Sequence, residues 1–210
     1  MQVLIVSASQ REATKSFELA KYIQTNTLDK SPNVSSSILD LSCYSNLLDN
    51  YGANNEGNLV LGRQKDEVLS LLYHCDAIVF VAPEWGGMIP PALINLFLLT
   101  ANGSANGLPL GHKPAFAVGV SASGGGNNPI SLLKAYTAKN SHVTWLPLHA
   151  VVQNVVQFVQ PEWSPALSDN FSQVQSRLLV GIKSLLIYSQ QLALVRDDLV
   201  SLSKVHPFGQ

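Results

Sequence analysis

The chain has 210 residues, of which 46% are hydrophobic and 13% charged, a balance that excludes a disordered polymer and supports one domain with a substantial core. With 13 basic and 14 acidic residues the net charge is −1, which offers neither a nucleic-acid footprint nor a polybasic membrane patch, and is unlike a small acidic carrier that docks by charge. So low a charge also points to surface covered by a second subunit.

The chain opens on QVLIVS, Gln2 to Ser7, a continuous apolar run that reads as a fully buried strand. It is too short and too early for a signal peptide, and no apolar run of about 18 residues is present to span a membrane. A helical pattern covers roughly Thr14 to Thr25, with Phe17, Ala20, Tyr22 and Ile23 on its apolar side. NTLDKSPNVSSS is turn chemistry, and SSILDLS is a second short strand. The Gly- and Asn-rich stretch CYSNLLDNYGANNEGN is long enough to suspect function. Helix returns near Leu61 to His74, with Val68, Leu69, Leu71 and Leu72 on one face.

Asp76 to Val81 is a third strand, followed by a helix from about Pro91 to Thr100 with proline in its first turn. Pro114 to Val120 is the fourth strand, Pro129 to Ala138 the next helix, and Leu148 to Val152 the fifth strand. A long terminal helix starts near Phe171, with Ser168 or Asp169 as its N-cap. After about residue 194 the pattern suits a short extra helix or an arm onto a neighbour. Alternating strands and helices imply a parallel sheet, and five such units fit the flavodoxin-like three-layer α/β sandwich, strand order 2-1-3-4-5. No repeat or boundary divides residues 1–210.

Three loops follow three of these strands, and in such a sheet they share the rim that binds ligands. SASQREAT offers Ser9, Arg11, Thr14 and Ser16 at a helix N-terminus, where hydroxyls, free N–H groups and a guanidinium suit a phosphate monoester. It lacks the glycines of dinucleotide and triphosphate loops. The same residues also read as an ordinary capped turn with an exposed arginine. PEWGGMIPP holds Pro83, Glu84, Trp85, Gly86 and Gly87: a rigid path, an aromatic face, a carboxylate, and two glycines that permit close approach of a flat ligand. A plain turn with Trp85 in the core is its other reading. SASGGG, with Ser121, Ala122, Ser123 and Gly124, can turn several N–H groups toward a ring edge. One phosphate loop and two loops for a planar heterocycle together suit a mononucleotide, with FMN the natural candidate.

These residues carry a resemblance to the NAD(P)H-dependent FMN reductase family, which includes quinone and chromate reductases. The family's phosphate loop, GSxRxxSxN, is matched by Ser9 and Arg11, with Thr14 where serine is usual and Ser16 where asparagine is usual. Its ring loop, PEYNxSxPxxLKN, is matched by Pro83, Glu84, Pro90, Leu93 and Asn95, while Trp85 replaces Tyr, Gly86 replaces Asn and Ile94 replaces Lys. Its third loop, SxGxxGG after KP and a strand, is matched around Lys113, Pro114, Ser121 and Gly124 to Gly126. The resemblance spans roughly Val3 to Ala150. It implies that Ser9, Arg11, Thr14 and Ser16 hold the FMN phosphate, and that Pro83 to Gly87 and Ser121 to Gly124 line the isoalloxazine. It further implies NAD(P)H as co-substrate, a small-molecule acceptor, and a homodimer or homotetramer; because the cofactor supplies the chemistry, no side chain is required as acid or base.

Two other classes stay open at this level: a flavodoxin-type electron carrier, and a family member that has lost flavin. Cys43 and Cys75 show no metal spacing; Cys75 reads as core, and the expected location is the reducing cytoplasm. His149 reads as a core or rim histidine rather than a catalyst. Trp145 and Trp163 suit either the core or a subunit contact.

Overall fold

Five parallel strands, Gln2–Ser7 (β1), Ser35–Asp40 (β2), Ala77–Pro83 (β3), Pro114–Val120 (β4) and Thr144–Val152 (β5), lie side by side in the order β2-β1-β3-β4-β5 of a computed structural model. The structure describes residues 1–44, 59–101, 107–160 and 168–206. The helices are Lys15–Ile23 (α1), Leu59–His74 (α2), Pro91–Thr100 (α3), Asn127–Tyr136 (α4), Ala138–Ser141 (α5), Val155–Val159 (α6), Ser168–Ala193 (α7) and Arg196–Ser203 (α8). The loop 45–58, suspected of function, lies outside the described residues, as does Trp163.

The central strands are apolar throughout because both faces of the sheet are covered. Alternation along each strand sends successive side chains to opposite sides. Leu4, Val6, Ile78 and Phe80 face a core completed by α2, α3 and α4. Val3, Ile5, Val79, Val81, Phe116 and Val118 face a second core completed by α1, α6 and α7. Gly181 lets α7 lie directly on β4: a Cβ there would come within 2.2 Å of the Phe116 ring.

Three boundaries differ from the sequence reading. The first helix ends at Ile23 and runs into a π turn, Gln24–Leu28, where Thr27 Oγ1 donates to the Ile23 carbonyl and Asn26 Nδ2 to the Tyr22 carbonyl. Strand β5 begins at Thr144, four residues early, with a bulge opposite Ala115/Ala117. It is an edge strand. Its free carbonyls are capped by Lys134 Nζ, on Leu146 and Pro147, and by Arg177 Nε, on His149, which blunts the edge against further pairing. Helix α7 starts at Ser168, which puts Ser168 and Asp169 inside its first turn rather than at the cap. The segment after residue 194 is the short helix α8, held where His112 Nε2 meets Ser203 Oγ at 2.8 Å.

Cys75 is buried beside Lys113, and burial pushes its thiol up to about 11, so it is an inert core group. Lys113 is itself buried and caps the end of α2 by donating to the carbonyls of Leu72 and Tyr73. Trp145 belongs to the core, where its ring packs on Phe80 and Phe97 and its Nε1 donates to Thr137 Oγ1.

Candidate active site

The strand order reverses between β1 and β3, the point at which loops on the two sides of such a sheet part and leave a crevice. A cleft of about 960 Å³ opens there, in the range of small-ligand sites. Ser9, Arg11, Thr14, Ser16, Pro83, Glu84, Trp85, Gly86, Ser121 and Ala122 all line it. Loops separated by more than a hundred residues in sequence therefore meet on one wall. Gly87, Ser123 and Gly124 are not part of the lining.

The loop after β1 is built by its own hydroxyls. Ser9 Oγ accepts from the Arg11 N–H at 3.2 Å, which turns the chain out of the strand. Thr14 caps α1, accepting from the Phe17 N–H at 3.3 Å, and its Oγ1 lies 2.9 Å from Ser16 Oγ. The first N–H groups of a helix have no partner within it, so this end of α1 presents hydroxyls and amide donors together. Among the described residues no carboxylate or other acceptor binds the Arg11 guanidinium; it lies over the Trp85 ring, 4.5 Å from the centroid. Lys15 is engaged by Glu18 at 2.8 Å and is a weaker candidate for a ligand charge.

The loop after β3 closes as a tight hairpin. Trp85 and Met88 exchange both backbone hydrogen bonds, at 3.1 and 3.0 Å, around Gly86 and Gly87 with φ of +57° and +79°. Two successive positive φ values define a type I′ turn, which side-chain-bearing residues resist. The glycine pair is thus required by the turn itself. It fixes Trp85 at the cleft wall and leaves Met88, paired opposite it and 63% exposed, beside the cleft.

Glu84 joins the second loop to the third. Its Oε2 accepts the Gly126 N–H at the start of α4, and its own N–H donates to the Val120 carbonyl at 3.0 Å. The third loop is further organised by Ser121, whose Oγ accepts from the N–H groups of Ser123 and Gly125 at 3.1 and 3.2 Å. Of the donors expected to face a ligand, the Ser123 N–H is therefore used within the loop, and the Ser121 N–H donates to the Val152 carbonyl at 3.0 Å. The N–H groups of Ala122 and Gly124 remain without a partner among the described residues.

Several supports gave no signal in the sequence. Gln10 Oε1 accepts the Ala92 N–H at 3.2 Å and ties the first loop to the start of α3. Gln153 Nε2 donates to the carbonyls of Gly124 and Gly125, and the N–H groups of Asn154 and Val155 donate to Ser123 and Ser121. These are glutamine and backbone contacts across long separations, with no spacing rule to reveal them. Glu12, Ile89, Pro91, Ile94, Asn95 and Val155 also line the cleft; the first five lie within the motifs read from the sequence without being singled out as ligand contacts, and Val155 lies outside them all. His149 lies outside the cleft lining, its pKa lowered by burial and by the nearby Lys134 and Arg177 charges.

The doubly covered parallel sheet and the cleft at its switch point define a flavodoxin-like α/β protein. Residues 1–157 match the family model described as NADPH-dependent FMN reductase, and the chain belongs to that family. It is an oxidoreductase whose cofactor is FMN and whose co-substrate is NAD(P)H. No curated protein matches the chain. Among solved structures, it is similar to an oxidoreductase from Corynebacterium diphtheriae, with 13% identity and a TM-score of 0.62 over 90% of this chain and 97% of that one. It is similar to the apo form of the NADH:FMN oxidoreductase EmoB, with 14% identity and a TM-score of 0.63 over 88% and 87%. It is also similar to FerB, an NAD(P)H:acceptor oxidoreductase from Paracoccus denitrificans, with 18% identity and a TM-score of 0.53 over 82% and 98%. At these identities the likeness is one of fold.

Proposed function

We propose that the cleft between the loops after β1, β3 and β4 binds FMN and that the protein reduces a quinone, free flavin or similar small acceptor by ping-pong turnover. The observation that supports this best is the Arg11 guanidinium, which has no anionic partner among the described residues, beside the hydroxyl-rich N-terminus of α1 and on the same cleft as the Trp85 ring. A phosphate monoester suits the first group and a planar heterocycle the second. Ser9, Arg11, Thr14 and Ser16 would hold the phosphate. Pro83 to Gly86, Ser121 and Ala122 would line the ring, with the Ala122 N–H group as a donor to its polar edge.

Bound FMN supplies hydride acceptance from nicotinamide and delivery to the acceptor. The protein supplies placement. The I′ hairpin holds Trp85 beside an open cleft mouth, and Gly86, where a Cβ would meet no atom within 4 Å, leaves room for a flat partner. One mouth serves both substrates in turn.

A homodimer or homotetramer and a cytoplasmic location complete this reading. The apolar run Leu96 to Leu99, which from the sequence alone is consistent with a subunit contact, does not support that assembly, since Leu96, Phe97 and Leu99 are buried in the chain's own core. Among the described residues no single helix is long and apolar enough to cross a membrane.

Initial rates of NADPH oxidation by the FMN-loaded protein, measured against quinone concentration, test the mechanism. Parallel double-reciprocal lines are expected. Intersecting lines mean that both substrates bind together and contradict it.

A further inference from the structure

Helix α3 turns one face, Pro91, Ile94 and Asn95, toward the cleft. Asn95 is the polar member of that face. It is only 8% exposed, yet its Nδ2 has no hydrogen-bond partner, and no described residue bonds the amide at all. A buried amide that keeps an unmet donor destabilises the protein that carries it, so its presence calls for an explanation. Helix propensity provides none, because asparagine is a poor interior helix residue and this side chain makes no bond back to its own helix.

Resting on the proposed function, we infer that Asn95 is a flavin-positioning residue whose amide donates to an oxygen of the isoalloxazine ring. The ring, rather than the phosphate, follows from topology. Helix α3 continues directly from the Pro83–Gly87 loop, whereas the phosphate-type hydroxyls belong to α1, on the other face of the sheet. Ile94, where the family usually has lysine, leaves α3 with no charge toward the cleft. Asn95 is then the one group by which this helix can address a polar ring edge.

The test is FMN and riboflavin titration of the apo-protein by quenching of flavin fluorescence, with the thermal midpoint of each apo-variant measured alongside. Asn95→Leu is close in volume and removes the unmet donor. It should weaken both FMN and riboflavin roughly 10-fold, the loss of one hydrogen bond, while the apo midpoint holds or rises by a few degrees. Asn95→Asp keeps the shape and replaces donor by carboxylate, so it should weaken both ligands at least as much. The inference is overturned if Asn95→Leu lowers the midpoint and leaves affinity within twofold, which marks a structural amide. It is overturned equally if FMN weakens while riboflavin does not, which assigns the residue to the phosphate. If the unaltered protein takes up neither flavin, the proposed function itself fails, and this role with it.

Discussion

The guanidinium carbon of Arg11 lies 4.5 Å from the centroid of the Trp85 ring, so the loops after β1 and β3 touch across the cleft through a cation–π contact. Such a contact contributes about 0.5–1 kcal/mol when exposed. A charge-assisted bond from arginine to phosphate contributes about 1.5–3 kcal/mol. On the proposed reading, a bound phosphate would outcompete the indole for Arg11.

Arg11→Ala should weaken FMN about 10- to 100-fold and leave riboflavin nearly unchanged. Fluorescence titration with the two flavins checks this. Equal loss for both would place Arg11 away from the phosphate.

Glu84 tests the coupling of the second and third loops. Its carboxylate holds the Gly126 N–H at the start of α4. Glu84→Gln retains an acceptor oxygen but gives up the charge, so about 1–2 kcal/mol of stability should be lost. The thermal midpoint should fall by a few degrees and FMN should bind several-fold more weakly. An unchanged midpoint with unchanged affinity would show that the strap has no energetic role.

Two glycines separate packing from chain freedom in the third loop and the strand before it. A Cβ on Gly119 would lie 2.0 Å from the Gly126 carbonyl oxygen, whereas one on Gly124 meets nothing within 4 Å. Gly119→Ala must push the loop off β4 and should cost about 2 kcal/mol or more in urea unfolding. Gly124→Ala should leave stability within about 0.5 kcal/mol. A reversed order would contradict the described packing.

Stability should also depend on pH through His112. Burial and the neighbouring His142 hold its pKa below the usual histidine value, and its Nε2 bonds Ser203 of α8. The neutral ring is the form the fold favours. Its contribution is complete above pH of about 6.5, the unfolded value, and is lost as pH falls through the lower folded value. The thermal midpoint should therefore drop between neutral pH and pH of about 5, and His112→Gln should flatten that drop. An identical pH profile in the variant would remove His112 from the account.

Much of the fold was legible because buried parallel strands leave continuous apolar runs. Pro114–Val120 and Pro91–Thr100 stand as the pattern reads them. The start of β5 was not, because Pro147 and half-buried neighbours interrupt the run on an edge strand. In the cleft, the loops themselves were legible from residue chemistry. Their mutual ties were not: Gln10 to Ala92, Glu84 to Gly126 and Gln153 to Gly124 join positions 82, 42 and 29 residues apart. Gly86 and Gly87 gave a clear signal, but of a hairpin turn whose backbone needs both, beyond any need of a ligand for space.

The most direct test is an anaerobic titration of the FMN-loaded protein with NADPH, followed by addition of a quinone. The flavin absorbance should bleach with one equivalent of NADPH per bound FMN and return when the quinone is added, with the flavin retained on the protein throughout. A protein that holds FMN but is not bleached by NADPH or NADH, or one that retains no FMN after desalting at micromolar concentration, would contradict the account.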